Sequence, residues 1–178
     1  MNEKHFMRDP VSLQRLQDML EAATFVKGST NSQVMAEIGS FAGETMDLFA
    51  GRFEKVFAVD LWDDKAVLGI SSPEFPVDIE GRFDAAIKHH LNVNKVKGDS
   101  AKSAEGFPDG YFDLVYIDAC HEYDAALADI RAWLPKVKHG GVLAGHDYHL
   151  DYSGVIKAVQ EVFVGRQNVV EYNWWVRV

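Results

Sequence analysis

The chain has 178 residues, of which 47% are apolar, and this suits one domain of ordinary size with a buried core. A formal net charge of −9 argues against a nucleic-acid or anionic-membrane binder, because neutralising phosphates requires a basic surface, so small molecules are the expected partners. The single cysteine, Cys120, excludes an intramolecular disulfide and favours a reducing compartment. Because no apolar run approaches the length of a membrane span and the N-terminus has no apolar signal core, we expect a cytoplasmic protein.

A helix is predicted first, from Asp9 to about Phe25, because its Asp-Pro start can cap free amides and apolar residues then recur at helical spacing. Residues 1–32 thus form an N-terminal helix and linker. Val34 to Ile38 is typical of a short apolar strand, which ends at a glycine-bearing turn, and Glu44 to Phe49 is compatible with a helix.

A second apolar run, Val56 to Val59, ends in Asp60. The order strand, turn, helix, strand, with an acidic residue at the end of the second strand, is typical of a nucleoside-binding crevice. Gly39 and Gly43 lack a Cβ, so the backbone can approach a ligand closely, and Asp60 can accept hydrogen bonds from both ribose hydroxyls. The same glycines are also compatible with a plain turn and a helix that packs against its neighbour.

The turn itself separates two cofactor classes. A dinucleotide site needs Gly-x-Gly-x-x-Gly so that a pyrophosphate can sit on a helix N-terminus, but here Phe41 interrupts the pattern and Glu44 would repel the diphosphate. The string Glu-Ile-Gly-Ser-Phe-Ala-Gly instead resembles the first motif of class I S-adenosylmethionine-dependent methyltransferases, whose turn holds the amino-acid end of the cofactor. This resemblance implies the following cofactor residues: Glu37, Gly39, Ser40, Gly43 and Asp60.

The stretch 61–80 shows no clean period and is expected to be a lid or active-site loop. Leu61 and Trp62 follow Asp60 directly and are further cofactor candidates. Trp62 could stack on an adenine or fill the core beside the strand, and the sequence leaves both alternatives open.

A helix is predicted from Ile79 to Leu91 and a third strand from Val93 to Lys97. In the methyltransferases that the turn resembles, an acidic or polar residue after the third strand binds the adenine amino group. The matching positions are Asp99 and Ser100, although Asp-Ser is also a common turn pair.

Alternating strands and helices continue to the end of the chain. The pattern predicts a single α/β domain, residues 1–178, with a doubly wound, mostly parallel seven-stranded sheet and an antiparallel edge of the kind that this class of methyltransferase carries. Gly140-Gly141 is expected to break the chain before the fifth strand. The remaining predicted strands are Tyr111–Asp118, Val142–Gly145, Val169–Tyr172 and Trp174–Val178, and the remaining helices are Tyr123–Leu134 and Val155–Val164.

A second group of polar residues is predicted at the carboxyl ends of the fourth and fifth strands, where open α/β sheets bind ligands. The blocks Tyr116–Tyr123 and Gly140–Tyr148 resemble methyltransferases that include macrolide sugar O-methyltransferases and cephalosporin-hydroxylase-type proteins. The resemblance implies Asp118 and Asp147 as metal ligands and His121 as a catalytic base beside Asp118, with Asp118 also near the cofactor.

His146 departs from that pattern, because the relatives carry a carboxylate at its position. As a third metal ligand, His146 would weaken a Mg²⁺ site and favour Mn²⁺, Fe²⁺ or Zn²⁺. The alternative is structural: His121 caps the following helix, and the His146-Asp147 pair fixes a turn.

The sequence therefore predicts an S-adenosylmethionine-dependent methyltransferase that acts on a small-molecule hydroxyl, with a histidine base and a divalent cation as assistance. The alternative from another class is a non-catalytic nucleoside-binding module or a subunit of a larger assembly. An NAD-dependent oxidoreductase is disfavoured by Phe41 and Glu44. The methyl acceptor and the oligomeric state, including a homo-oligomer, stay open.

Overall fold

The computed structural model describes residues 10–24, 30–63 and 78–178. Seven strands form one sheet in the order β3-β2-β1-β4-β5-β7-β6. β1 to β5 are parallel to one another, and β7 pairs antiparallel with both β5 and β6. The predicted doubly wound sheet with an antiparallel C-terminal edge is thus confirmed.

The strands are β1 (Thr30–Ile38), β2 (Phe53–Asp60), β3 (Val93–Lys97), β4 (Phe112–Ile117), β5 (Val137–Gly145), β6 (Asn168–Val170) and β7 (Asn173–Arg177). The α-helices are α1 (Pro10–Thr24), α2 (Met46–Ala50), α3 (Ile79–Ile87), α4 (Ser100–Ala104), α5 (Tyr123–Trp133) and α6 (Ser153–Phe163). Two 3₁₀ turns, Leu134–Lys136 and Leu150–Tyr152, flank β5.

The sheet is covered on both faces, as a parallel sheet requires. Side chains of α1, α2 and α3, such as Leu16, Phe49 and Phe83, pack on one face. Side chains of α4, α5 and α6 pack on the other face, where Trp133 and Trp174 are among the largest buried groups. Both faces are occupied, so ligands can reach the sheet only at its ends.

Several predicted boundaries differ from the structure, most clearly in β1 and β5. β1 begins at Thr30 rather than Val34, because Thr30 already pairs with Phe53 of β2 across an irregularity in the register. The Gly140-Gly141 pair does not break the chain but lies inside β5, where Gly140 takes a φ of +81° and its N–H donates to the Val178 carbonyl. Glycine tolerates that left-handed conformation, so the strand continues through the irregularity.

The proposed loop 61–80 lies largely outside the described residues, which resume at Asp78 as the N-cap of α3. Among the helices that the structure describes, none combines the length and apolar character needed to cross a membrane.

Candidate functional site

The glycine turn after β1 is pressed against the end of β4. Gly39 has a φ of +88°, and its N–H donates to the Val59 carbonyl at 2.8 Å. A Cβ at this position would overlap the carbonyl oxygen of Asp118. Only glycine therefore lets the turn lie directly beside the β4 carboxyl end.

Two of the predicted cofactor residues are buried within this turn. Glu37 is 1% exposed and accepts a hydrogen bond from the Thr45 hydroxyl, while the Ser40 hydroxyl donates to the Glu37 carbonyl at 3.3 Å. Gly43 closes the turn with a φ of +82°, and its N–H donates to the Ser40 carbonyl at 2.9 Å. These hydrogen bonds fix the conformation of the turn from its buried side.

Asp60 joins the turn to the end of β2. Its Oδ2 accepts from the Phe41 N–H at 2.9 Å, and its Oδ1 accepts from the Trp62 N–H at 2.8 Å. Each carboxylate oxygen has a second lone pair, so the half-buried group can still accept hydrogen bonds from two hydroxyls. Asp60 is therefore both a structural anchor and a candidate ribose ligand.

Trp62 occupies the core, as in the second alternative that the sequence left open. Its residue is 4% exposed, its indole N–H donates to the Phe41 carbonyl at 2.8 Å, and its ring packs against Phe83 with centroids 4.6 Å apart. The adjacent Leu61 is 46% exposed at the sheet edge. Of the two cofactor candidates, Leu61 is thus the more accessible.

Asp99 and Ser100, which follow β3, have different structural roles. Asp99 is the N-cap of α4, where its Oδ1 accepts from the Lys102 N–H at 3.0 Å, and Ser100 turns its hydroxyl inward to donate to Asp129. The indole N–H of Trp133 donates to the same hydroxyl at 3.3 Å. Each of the two predicted adenine ligands, Asp99 and Ser100, thus already holds a structural hydrogen bond.

Asp129 is a buried acid that the sequence reasoning missed. It lies on the apolar face of α5 and is 6% exposed. Burial raises its pKa to about 6, although the hydrogen bond from Ser100 opposes this shift. A carboxylate among the apolar positions of a predicted amphipathic helix was the signal that could have identified it.

The second predicted group comes together at the ends of β4 and β5. His121 Nε2 lies 2.7 Å from Asp147 Oδ2, and His146 Nδ1 lies 2.9 Å from Asp147 Oδ1. Asp118 faces them, with its Oδ1 4.0 Å from His146 Nδ1. One carboxylate is therefore held between two imidazoles, beside a second carboxylate.

This arrangement shifts two pKa values in opposite directions. The hydrogen bond to Asp147 raises the pKa of His121, although partial burial works against it. Burial alone would raise the pKa of Asp147, but the hydrogen bonds from His121 and His146 outweigh it and hold that pKa low. At neutral pH Asp147 is thus an anion that can orient the His121 ring.

Donor atoms of Asp118, His121 and Asp147 all lie within 4.8 Å of one another. Two carboxylates and an imidazole are suitable ligands for a divalent transition metal, so the residues present fit a cation. The structure thus groups His121 with the two carboxylates, whereas the sequence assigned the third ligand to His146. His146 is not part of this group, although its Nδ1 lies 2.9 Å from Asp147 Oδ1 and 4.0 Å from Asp118 Oδ1.

Aromatic side chains surround the two histidines, and the sequence reasoning did not identify them. The ring of Tyr152 lies 4.4 Å from that of His121, and the ring of Tyr172 lies 6.2 Å from that of His146. Both tyrosines are 39% exposed, so they form the accessible rim of the site. Both tyrosines lie far from Asp118 in the sequence, so no local pattern predicted these ring contacts.

Residues 36–148 match the family described as Methyltransferase domain, and the chain belongs to that family. Among curated protein sequences, none matches the chain. The match includes the glycine turn, Asp60 and the paired strand ends, so the predicted class I S-adenosylmethionine-dependent methyltransferase is confirmed.

Solved structures share the fold at low sequence identity. A precorrin-8w decarboxylase from Methanobacterium thermoautotrophicum has a TM-score of 0.64 at 15% identity, with full coverage of both chains. The calicheamicin-pathway TDP-rhamnose 3′-O-methyltransferase CalS11 gives 0.65 at 16%, covering 99% of this chain and 83% of its own. The mycinamycin-pathway methyltransferase MycE, solved with Mg, SAH and mycinamycin VI, gives 0.62 at 14%, covering 90% and 47%.

Proposed function

We propose that this methyltransferase transfers the methyl group of S-adenosylmethionine to a hydroxyl oxygen of a small molecule, with His121 as the general base. The observation that carries this proposal is the 2.7 Å contact between His121 Nε2 and Asp147 Oδ2 beside Asp118. CalS11 and MycE, which share the fold, are methyltransferases of small-molecule pathways, and this supports the choice of acceptor class.

The glycine turn and Asp60 would hold the cofactor. S-adenosylmethionine, when bound, supplies a methyl group on a positively charged sulfur. The turn between Gly39 and Gly43 exposes backbone next to the β4 end, and the second lone pairs of Asp60 are available to the ribose hydroxyls. The methyl donor would thus lie within reach of the Asp118 cluster.

The contact with Asp147 determines which nitrogen of His121 can act. If Nε2–H donates to the Asp147 carboxylate, the lone pair of the neutral ring lies on Nδ1. The proton of the acceptor hydroxyl would pass to Nδ1 while the oxygen forms its bond to the methyl carbon and the carbon–sulfur bond breaks. The 43% exposed His121 side chain is accessible to an acceptor, and Tyr152 packs against its ring.

Asp118, Asp147 and one histidine would hold a divalent cation. Such a cation, when bound, lowers the pKa of a coordinated hydroxyl and makes the oxygen a better nucleophile. His146 is the proposed third ligand, because a nitrogen of His121 that accepts the proton cannot also bind the metal. An imidazole in that position favours Mn²⁺, Fe²⁺ or Zn²⁺ over Mg²⁺.

Calorimetry with S-adenosylmethionine and S-adenosylhomocysteine is the first test. Binding of both is expected, and absence of binding at millimolar concentration would refute the function. Turnover is then measured on a panel that contains TDP-rhamnose, mycinamycin VI and simple phenols. Cofactor binding with no turnover on a broad metabolite panel would instead favour the non-catalytic nucleoside-binding alternative.

The two histidines that contact Asp147 provide a matched pair of variants. His121→Ala should lower turnover by about a hundredfold or more and leave cofactor affinity nearly unchanged, because it removes only the base. His146→Ala should instead weaken metal affinity, and His146→Glu should shift the rescue of chelated enzyme toward Mg²⁺. If His121→Ala abolished metal binding while His146→Ala did not, His121 would be the ligand and the base assignment would be wrong.

A further inference from the structure

A small cavity lies beneath the polar cluster, between the ends of β4 and β5 and the helices α5 and α6. Its lining combines polar side chains, such as Asp118, His121 and Asp147, with apolar ones, such as Ile130 and Val155. The cavity volume is about 10 Å³, which is close to the space that one water molecule requires. The cavity can therefore hold one small group, and that group would contact both polar and apolar side chains.

Trp174 also lines this cavity. Trp174 is 1% exposed, and within the described part of the chain no protein group accepts a hydrogen bond from its Nε1–H. Buried indole N–H groups usually have a partner, because an unpaired donor loses its hydration without replacement. The Trp174 N–H is thus a donor that lacks a protein acceptor beside the candidate site.

The position of this N–H follows from the strand pairing. Trp174 of β7 pairs with Gly145 of β5, and Gly145 pairs with Ile117 of β4. A Cβ on Gly145 would lie 2.7 Å from Trp174 Nε1, so the absence of a side chain there lets the indole edge cover the end of β5. The donor is consequently brought to the same sheet end as Asp118 and Asp147.

We propose that this cavity is a subsite for a single O–H group, with the Trp174 indole N–H as its hydrogen-bond donor. The oxygen would accept from Nε1–H, and the O–H proton would be directed to the polar side chains that line the cavity, which include His121 as well as the two carboxylates. A carbonyl oxygen could only accept, whereas a hydroxyl or a water can both accept from Nε1–H and donate to these side chains.

Two sources can supply this O–H group: an ordered water and a hydroxyl of the methyl acceptor. The hydrogen-bonding chemistry is the same for both. Only the second source rests on the proposed function. In either case Trp174 contributes a neutral, fixed hydrogen-bond donor to the site, although it lies almost 30 residues after Asp147 in the sequence.

The test uses the full chain with ¹⁵N-labelled tryptophan and follows the indole N–H signals by NMR. Trp174→Phe removes the donor and keeps an aromatic ring, and loss of one signal in that variant assigns Trp174. Trp175→Phe is the matched control: Trp175 is the next residue of the same strand, packs on the opposite face of the sheet, and also has an Nε1–H without a described protein acceptor. If Trp174→Phe does not fold, Trp62→Phe, Trp133→Phe and Trp175→Phe assign the other three indole signals of the chain, and the remaining wild-type signal is that of Trp174.

A cross-peak between the Trp174 N–H and a bound water in the free protein supports the subsite and identifies water as its occupant. If acceptors that are turned over displace that cross-peak and shift the Trp174 signal downfield, the acceptor hydroxyl is the occupant. In that case Trp174→Phe should lower kcat/KM by about 3- to 10-fold, the effect of one hydrogen bond, while Trp175→Phe does not.

The absence of both a water cross-peak and any acceptor-dependent shift would overturn the proposal. This outcome is separate from a failure of the proposed function. Failure of S-adenosylmethionine to bind would refute the methyl transfer, but the water cross-peak in the free protein would still decide whether the subsite exists.

Discussion

Replacement of the buried Asp129 by Asn should make the protein more stable at neutral pH and should change how its stability depends on pH. Asp129 is 6% exposed on α5, where its carboxylate accepts from the Ser100 hydroxyl. The amide oxygen of Asn can accept the same hydrogen bond. The substitution therefore removes the ionisation of the side chain while keeping its size and its main contact.

The magnitude follows from the pKa of Asp129, which burial raises from 3.8 to about 6. One pKa unit corresponds to about 1.4 kcal/mol, so the shift corresponds to about 3 kcal/mol. Because the folded state binds the proton more tightly than the unfolded state, this stability is fully present below about pH 4 and is lost as pH rises through about 6. The free energy of unfolding of the wild type, relative to Asp129→Asn, should thus fall by about 2 to 3 kcal/mol between pH 4 and pH 7.

Urea unfolding followed by tryptophan fluorescence at several pH values, at constant ionic strength, measures this difference. Asp124→Asn removes one negative charge from an exposed position on the same helix and serves as the control for a general charge effect. Wild-type and Asp129→Asn curves that stay parallel from pH 4 to pH 8 would refute the reasoning. They would show that Asp129 ionises in the folded protein as easily as in the unfolded chain.

Three further outcomes are expected. Gly39→Ala should lower the free energy of unfolding by more than about 1 kcal/mol in urea titrations, because alanine is strained at a φ of +88° and its Cβ would overlap the Asp118 carbonyl; an unchanged midpoint would contradict the tight turn. Asp60→Ala should weaken S-adenosylmethionine binding in calorimetry by about 1.5 to 3 kcal/mol and also destabilise the fold, since two backbone N–H groups lose their acceptor; unchanged affinity would remove Asp60 from the site. Chelator should abolish turnover, and full activity in chelator together with normal activity of Asp147→Ala would show that no metal takes part.

The sequence by itself determined which segments form strands and helices and at which end of the sheet the polar residues lie. Apolar runs of strand length fix β4 as a central strand, and alternation with amphipathic helices fixes parallel pairing. Since the carboxyl ends of parallel strands share one edge, the placement of Asp60, Asp118 and Asp147 at that edge follows from their position at or after strand ends. Local patterns are sufficient for this, because side-chain periodicity directly reflects burial.

Only the tertiary structure decided which partner each polar side chain takes. The Ser100 hydroxyl donates to Asp129, which is 29 residues away in the sequence. Trp62 packs against Phe83 in the core. Local sequence cannot specify such choices, since they depend on which helix packs over which strand. The same reason applies to Trp174, which reaches the site only because β7 inserts antiparallel beside β5 and the missing side chain of its cross-strand partner leaves room for the indole.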